Sequence, residues 1–575
     1  MSHKNVLFYI ILTVLSILNT NPLHAQALFT AADTVCIDDS LIIVNQSREA
    51  ASYYWNFCSG NLAYIPEGEN LSNSGTLNGP AFIDFAEDNE VYYAFITNHN
   101  DGTVTRNTYG ADFLSEPTSV NMGNLGGALP RHLQGIQVVH DNSEWYVFVI
   151  GGQREESRLV RLDFGNSLAN NSPAVNNLGN IGALDYPVDL YLESVDGTWI
   201  GFTVNKNTNT TTRFVFTGGL DSPPIGENLG NPASLNSPCG ILPIYENGNW
   251  YMFISNYDGH EISRLEFGSS LLSTPSGSTI GGSAVLHYPF DLTILRDCER
   301  TYGFVLNRFN DIVRMEFYNG LNSDPEFTSL GEIGSLYNPQ GISDVFRVGD
   351  TLFTFVANID NSTLTRMYFP GCTNANPASS TERNPPPVFY DEPGTYNVNL
   401  VIDEGLPQQE NYCLNVVVLD SPEFSLGNDT IIPAGTSIEL SPDSVYSAYD
   451  WSTGSAEQTI TVSNSGIYSL TITNHLGCKA DDEIEVILDI GIPNFFTPNG
   501  DGYNDTWLIP FLLNEPDAEI FVFDRFGNTV ASYKAEDGEW DGTSSGRSLP
   551  EGTYWYLISV PEIKKPYKGQ VTIKR

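Results

Sequence analysis

Between residues 61 and 370 apolar and polar side chains alternate over stretches of four to eight residues, divided by Gly, Asn, Asp and Pro. A two-residue period predicts short strands joined by tight turns. The stretches also recur. A strand ends in Phe95, Phe148, Phe202, Phe253, Phe304 and Phe355, at steps of 53, 54, 51, 51 and 51 residues. Three residues further on stand Asn98, Gly151, Asn205, Asn256, Asn307 and Asn358. An arginine follows each time, at Arg106, Arg161, Arg213, Arg264, Arg314 and Arg366. Three residues beyond it comes an aromatic: Tyr109, Phe164, Phe216, Phe267, Phe317 and Phe369. In the third repeat VDLYLESV, TWIGFTVN and TTTRFVF read as strands and ENLG as a short fourth. Four short strands per repeat of about 50 residues, six times over, predict a six-bladed β-propeller, because one such sheet buries too little to stand alone. The arginines recur in every repeat, so their expected role is structural: stacking between blades on the aromatic three residues on.

The ends of the ring are written in the same code. GENLSNSGTLNGP (68–80) precedes the first repeat and matches GENLGNPASLNSP (226–238) in length and pattern. Residues 68–72 are thus an outer strand without a blade, and the sixth repeat lacks an outer strand. Joining them closes the ring and removes an exposed sheet edge. The openings NSPCGIL (236–242), YNPQGIS (337–343) and YPVDLYL (186–192) resemble NHL-type propeller repeats, which implies a recognition platform more often than an enzyme.

The flanks make sense together. VCIDDSLIIVNQS and YYWNFCSG precede the repeats, and NPPPVFYDEPGTYNVNLVI and NYCLNVVVL follow them. Joined, they resemble one PKD-type immunoglobulin-like sandwich. That family's Trp-Asp-Phe-Gly-Asp-Gly stands here as Trp55-Asn56-Phe57-Cys58-Ser59-Gly60, and its Gly-Thr-Tyr as Gly394-Thr395-Tyr396. The departure at Cys58-Ser59 falls where the ring would be inserted, and a closed ring has adjacent ends that suit insertion. This resemblance puts Cys58 and Cys372 at the neck of the insertion and Cys36 and Cys413 on the first and last strands, so bridges Cys58–Cys372 and Cys36–Cys413 are expected. Cys239 and Cys298 lie about eight residues out of register on neighbouring blades, roughly 25 Å apart, so both are expected to be reduced. Residues 421–488, with YDWSTG and SGIYSLTITNHLGC, resemble a second immunoglobulin-like module. Its usual partner cysteine near Pro433 is missing, which leaves Cys478 unpaired.

Residues 489–575 run IPNFFTPNGDGYNDTW, IFVFDRFGN, EWDGT, LPEGTYWYLI and KGQVTIKR. This series closely resembles the gliding-motility-associated C-terminal domain, the type B sorting domain of type IX secretion in Bacteroidetes-like bacteria. The resemblance implies a further β-sandwich that hands the chain to the secretion machinery. Residues Asn499, Asp501 and Asp505, set among glycines, resemble a calcium loop without the bidentate Glu of an EF-hand, and are the candidate metal ligands; the same residue types also build tight turns.

Composition narrows the function. With 26 Lys and Arg against 69 Asp and Glu, the net charge of −43 excludes nucleic acid and anionic membranes as natural partners. Eight of the 26 bases lie in residues 520–575, and Lys564, Lys565, Lys568, Lys574 and Arg575 make a basic end suited to docking on the export machinery. Lys4, the apolar run Val6–Leu18 and the Ala25 boundary read as a signal peptide, and no other window is long and apolar enough to span a bilayer. His99, His132, His140, His260, His287 and His475 show no metal-ligand spacing, and Gly-x-Ser-x-Gly, P-loop and dinucleotide motifs are absent. No catalytic residue is assigned. Asp189 and Asp291 share one position on the first strand of their repeats, at the predicted channel mouth, and are the candidate ligand-binding residues; such aspartates also cap turns.

The expectation is therefore an all-β protein: signal peptide 1–25, split PKD-like sandwich 26–60 plus 371–420, six-bladed propeller 61–370, Ig-like sandwich 421–488 and sorting domain 489–575. Its expected role is an exported, cell-surface or secreted binding or adhesion head for a glycan or protein ligand. The alternative is an extracellular enzyme acting on polysaccharide or peptide at the channel mouth.

Overall fold

The computed structural model describes residues 27–575 apart from 38, 48, 49, 60, 111, 112, 283, 299, 405–408, 562 and 564. The signal-peptide residues, Gly60 and Lys564 therefore lie outside the described residues. The chain forms two bodies. One takes in residues up to Asp33, Ser40–Asp391 and Thr395–Val417; the other takes in Thr34–Asp39, Glu392–Gly394 and Val418–Arg575.

The first body is all-β and propeller-like. Each of the first five repeats is a four-stranded antiparallel sheet in simple up-and-down order. In the first, Pro80–Asp88, Val91–Asn98, Thr103–Tyr109 and Thr118–Asn121 pair in sequence. The sixth sheet takes its outer strand from the other end of the repeats: Glu67–Leu71 pairs antiparallel with Thr363–Phe369, from Leu71 opposite Leu364 to Glu67 opposite Tyr368. The first strand of each sheet packs against that of the next, and the sixth against the first, so the inner strands form a ring.

Two six-fold contacts explain the landmarks. The phenylalanine of each repeat meets the aromatic of the next edge to face or tilted: Phe95 with Phe164, Phe148 with Phe216, Phe202 with Phe267, Phe253 with Phe317, Phe304 with Phe369, and Phe355 with Tyr109. Each such pair adds about 0.5–1.5 kcal/mol beyond its buried area. The arginines do something else. Each donates to backbone carbonyls of the loop beyond the third strand of the next repeat: Arg106 to Leu168 and Asn170, Arg213 to Leu271 and Ser273, Arg264 to Leu321 and Ser323. Arg161 reaches Leu220. Arg314 reaches Leu62 and Ala63, and Arg366 reaches Phe113 and Leu114, which carries the pattern across the closure. The expected stacking of arginine on the following aromatic is corrected here: the loop carbonyls are otherwise orphaned acceptors, and a guanidinium satisfies them better than a ring does. The asparagines pin the turns. Asn98 accepts from Asn78 N and donates to Thr103 and Thr105, and Asn205, Asn256, Asn307 and Asn358 accept an equivalent amide.

Sequence from both sides of the repeats builds one further sheet, in which Tyr53–Ser59 lies between Ser379–Ser380 and Gly394–Ile402, and Glu410–Leu419 flanks the latter. Trp55 and Phe57 are fully buried there. Trp55 donates to Glu382 O at 2.8 Å, and Tyr390 Oη donates to Phe57 O at 2.8 Å. Cys58 is bonded to Cys372, with Cα atoms 5.3 Å apart.

The cysteine pairing otherwise differs from expectation. Cys298 is bonded to Cys413 and Cys36 to Cys478, in place of Cys36–Cys413 with Cys298 and Cys478 free. Cys298 sits in the turn between the first two strands of the fifth repeat, and the Glu410–Leu419 strand passes beside that turn with Cα atoms 5.4 Å apart. Sequence register within the sandwich alone gave no sight of that turn. Cys239 is the one free cysteine among the described residues.

Among the described residues the second body holds two larger sheets and two two-stranded ones, Ile438–Leu440 with Ile460–Val462 and Thr543–Ser544 with Arg547–Ser548. Thr430–Pro433, Lys479–Asp489, Gly466–Thr473 and Ala448–Trp451 make the first, which opens with a parallel pair. Phe495–Phe496, Tyr567–Ile573, Gly552–Ser559, Glu519–Phe523 and Thr529–Lys534 make the second. Trp451, Trp507 and Trp540 are buried in one continuous apolar cluster that spans both sheets. No helix among the described residues is long and apolar enough to cross a membrane.

Candidate functional site: the two ends of the ring

The first strand of every repeat runs from one end of the ring to the other, and its pairing sets the ends apart. In the first repeat Pro80 lies opposite Asn98 at the start and Asp88 opposite Val91 at the finish. Eight steps of about 3.3 Å separate those ends by roughly 26 Å.

At the finishing end lies a cavity of about 850 Å³. Its walls are the second halves of the inner strands and side chains of the flanking sheet, among them Asn399, Val401 and Glu404. Asp84, Glu87, Asp297 and Asp344 face it, with Tyr191. Arg347 pairs with Glu404 at 3.0 Å and lies 3.9 Å over the Tyr54 ring, while Arg296 pairs with Glu246 at 2.6 Å. The Cys298–Cys413 bridge ties the flanking sheet to this end.

The acids of the inner strands are bound to backbone. Asp189 Oδ1 accepts from Leu190 N at 2.7 Å and Oδ2 from Ile241 N, on the next inner strand, at 2.9 Å. Asp291 repeats this with Leu292 N and Ile342 N, both at 2.8 Å. Asp84 does the same with Phe85 N at 2.8 Å and Val138 N at 2.6 Å. The strands approach so closely that a Cβ on Gly240 would fall 2.5 Å from Asp291 Oδ1, and one on Gly135 2.6 Å from Leu190 N. Burial pushes the Asp84 and Asp189 carboxyls up to about 7 against the pull of those amides. Asp291 is driven well up by burial and then by Asp189, and burial also raises Asp344, which takes a hydrogen bond from Thr293 at 3.3 Å. Both predicted ligand residues, Asp189 and Asp291, thus spend their oxygens on joining consecutive inner strands.

The starting end is built from the residues that flank the asparagine landmark, and here the six-fold pattern breaks. The residue after each landmark is His99, Gly152, Lys206, Tyr257, Arg308 or Ile359. Lys206 Nζ lies 4.0 Å over the Tyr257 ring, 5.2 Å from that of Phe290, and 3.3 Å from Cys239 Sγ. Arg308 donates to Tyr257 Oη. Tyr257 packs on Tyr288 with centroids 4.9 Å apart, and Tyr288 on Phe309 at 5.6 Å. Phe309 is 65% exposed. On the other side Gln134 Nε2 meets His99 Nδ1 at 2.8 Å, and His132 Nδ1 meets His99 Nε2 at 3.1 Å. Burial, and then His132, lower His99 to about 4, so its ring is neutral at neutral pH. Gln134 Oε1 and Gln340 Oε1 are buried with no hydrogen-bond partner. Constant landmarks do not point to these residues; the position beside each landmark, where the repeats disagree, does.

In the second body the 499–505 loop closes on itself. Asp505 accepts from the amides of Asn499, Gly500 and Gly502 at 2.6–2.9 Å, and Asp501 from Tyr503 N at 2.8 Å. The amides of Gly500 and Gly502 hold the Asp505 carboxyl below its ordinary range. No group of three or more His, Cys, Asp or Glu among the described residues is gathered to hold a metal ion. Lys565, Lys568, Lys574 and Arg575 are exposed, and Lys565 pairs with Glu485 at 2.8 Å.

Residues 490–573 match the CHU_C Type IX secretion signal domain. The chain is accordingly routed to secretion or the outer surface in Bacteroidetes-like bacteria, and the type IX machinery handles it. No curated protein matches the chain. Among solved structures, a luciferin-regenerating enzyme shares 12% identity and a TM-score of 0.37, covering 52% of this chain and 95% of its own. A fungal lectin, described as a six-bladed β-propeller with fucose recognition from Aleuria aurantia, shares 11% and 0.35, covering 53% and 92%. A thermostable family-43 glycoside hydrolase shares 13% and 0.31, covering 45% and 94%.

Proposed function

We propose that residues 61–370 are a six-bladed propeller of NHL-like repeats set into a PKD-like sandwich formed by 26–60 and 371–420, and that this propeller is the recognition head of an exported protein. Residues 421–488 are an Ig-like spacer and 489–575 the sorting domain. The head binds a glycan or protein ligand at the starting end of the ring. The observation that carries this reading is the break in symmetry there: a run of Tyr257, Tyr288 and Phe309 beside Lys206 and Arg308, on a ring otherwise repeated six times. Structural contacts repeat with the fold, whereas a ligand is met once. Aromatic faces of this kind supply rigid contact area at low entropic cost.

The test is a binding survey of the full chain on glycan and extracellular-protein arrays, repeated with Tyr257→Ala and Tyr288→Ala. Binding that falls at least tenfold in both variants is expected. Binding untouched by either would place the site elsewhere. Turnover of a polysaccharide or peptide, lost in Asp189→Asn or Asp291→Asn, would replace this reading with the enzymatic one. Secretion of a chain lacking residues 489–575 would remove the sorting role; its retention in the cell is expected.

A further inference from the structure

Resting on that recognition reading, we propose that the starting end of the ring is selective for anionic sugars, a carboxylated or sulfated polysaccharide. The evidence is the state of its two cations. Many basic side chains of the first body are spent internally: Arg161 on Asp163, Arg213 on Glu227, Arg296 on Glu246, Arg347 on Glu404 and Arg366 on Glu69. Lys206 and Arg308 make no ion pair among the described residues, in a chain carrying 69 acids. Arg131, Arg154 and Arg383 form no ion pair among the described residues either, but no aromatic ring lies under them, whereas Tyr257 lies under both Lys206 and Arg308.

The acids near them are engaged elsewhere. Asp258 takes the hydroxyl of Ser237, and Asp291 holds two backbone amides and is kept toward its neutral form by burial. Cys239 lies against Lys206, but burial raises its thiol to about 11, so it adds no negative charge at neutral pH. Both cations meet the same ring, Tyr257, at 4.0 Å from Nζ and 5.7 Å from the guanidinium carbon. A sugar stacked on the aromatic run, whose outer member Phe309 is exposed and whose Tyr257 and Tyr288 are half-buried, therefore has two positive groups within reach of an anionic substituent. A guanidinium or ammonium on a carboxylate or sulfate forms charge-assisted hydrogen bonds about twice as strong as neutral ones. The chain's net charge of −43 repels polyanions at long range, so selection of such a ligand must come from these short contacts.

The experiment is calorimetry of the full chain with polygalacturonate, dextran sulfate and neutral dextran. Arg308→Gln and Lys206→Gln are compared with Lys206→Arg. The expected result is binding of at least one of the two polyanions, at least tenfold tighter than dextran. It weakens at least tenfold in Arg308→Gln and Lys206→Gln and is restored in Lys206→Arg. Arg308 is exposed, so its substitution leaves folding intact and its arm can be read alone. Which polyanion binds tells carboxylate from sulfate. Failure of both polyanions overturns the inference, as does binding that ignores the Arg308 substitution. If neutral glycans or proteins then bind and are lost in Tyr257→Ala, the recognition reading stands and only the ligand class is wrong; if nothing binds, both fall.

Discussion

The two ends of the ring are made from the same repeats and differ in what is left over. At the finishing end Asp84 holds two amides, Arg296 and Arg347 hold glutamates, and a disulfide fastens the flanking sheet beside an 850 Å³ cavity. At the starting end Lys206 and Arg308 meet the Tyr257 ring and no acid, beside a run of aromatic side chains. The lesson is that charge and burial alone do not mark a site. The shifted carboxyls Asp84, Asp189 and Asp291 are already structural, each holding two backbone amides; the unspent groups lie beside the landmark asparagines.

The largest effect expected from breaking this contrast is on pH stability. Asp84 and Asp189 titrate near 7 in the folded chain and near 3.9 when unfolded. Between those values the folded state holds protons the unfolded state has lost, so stability falls as pH rises from about 4 to about 7 and is level above. For Asp84 the cost is about 4 kcal/mol by pH 8, and Asp189 acts in the same direction. Denaturant melts at pH 5 and pH 8 should show the loss, and Asp84→Asn should shrink it; a flat profile would mean the amides hold these acids ionised.

Removing the tie comes next. Cys298→Ser opens a link of 115 residues and should cost about 2–4 kcal/mol in melts while ligand binding at the starting end is unchanged. A parallel loss of binding would show the two ends to be coupled. Arg264→Met leaves the carbonyls of Leu321 and Ser323 without their charged donor and should cost about 2–3 kcal/mol. An effect below about 0.5 kcal/mol would return the arginines to the stacking role. The smallest effect concerns the 499–505 loop, whose oxygens already hold its own amides: calcium titration should give no heat above dilution, and a saturable heat lost in Asp505→Asn would establish a site.

Much of this was legible in the residues. The six landmarks set strand register, and residues 68–72 were marked as a surplus outer strand before Glu67–Leu71 is seen against Thr363–Phe369. The tail motifs led to the secretion signal that residues 490–573 match. What misled was local reasoning about nonlocal partners. Cys413 was given to Cys36 because both lie in the sandwich, yet it bonds Cys298 in the fifth repeat. The arginines were given to the nearest aromatic, whereas their carbonyl partners lie some 60 residues on, or about 250 residues away across the closure. Asp189 and Asp291 were singled out by position; only the distances to Ile241 N and Ile342 N reveal them as links between strands.

By itself, then, the sequence determined what is periodic or local: an all-β chain, strand boundaries, the repeat and the export signal. Period-two alternation and turn residues act over a few positions, and a repeated unit must meet its neighbour the same way each time. Tertiary structure alone decided which charges are spent and which are free. Whether Lys206 or Arg161 finds an acid depends on residues brought near by ring closure, and no spacing along the chain encodes that distance.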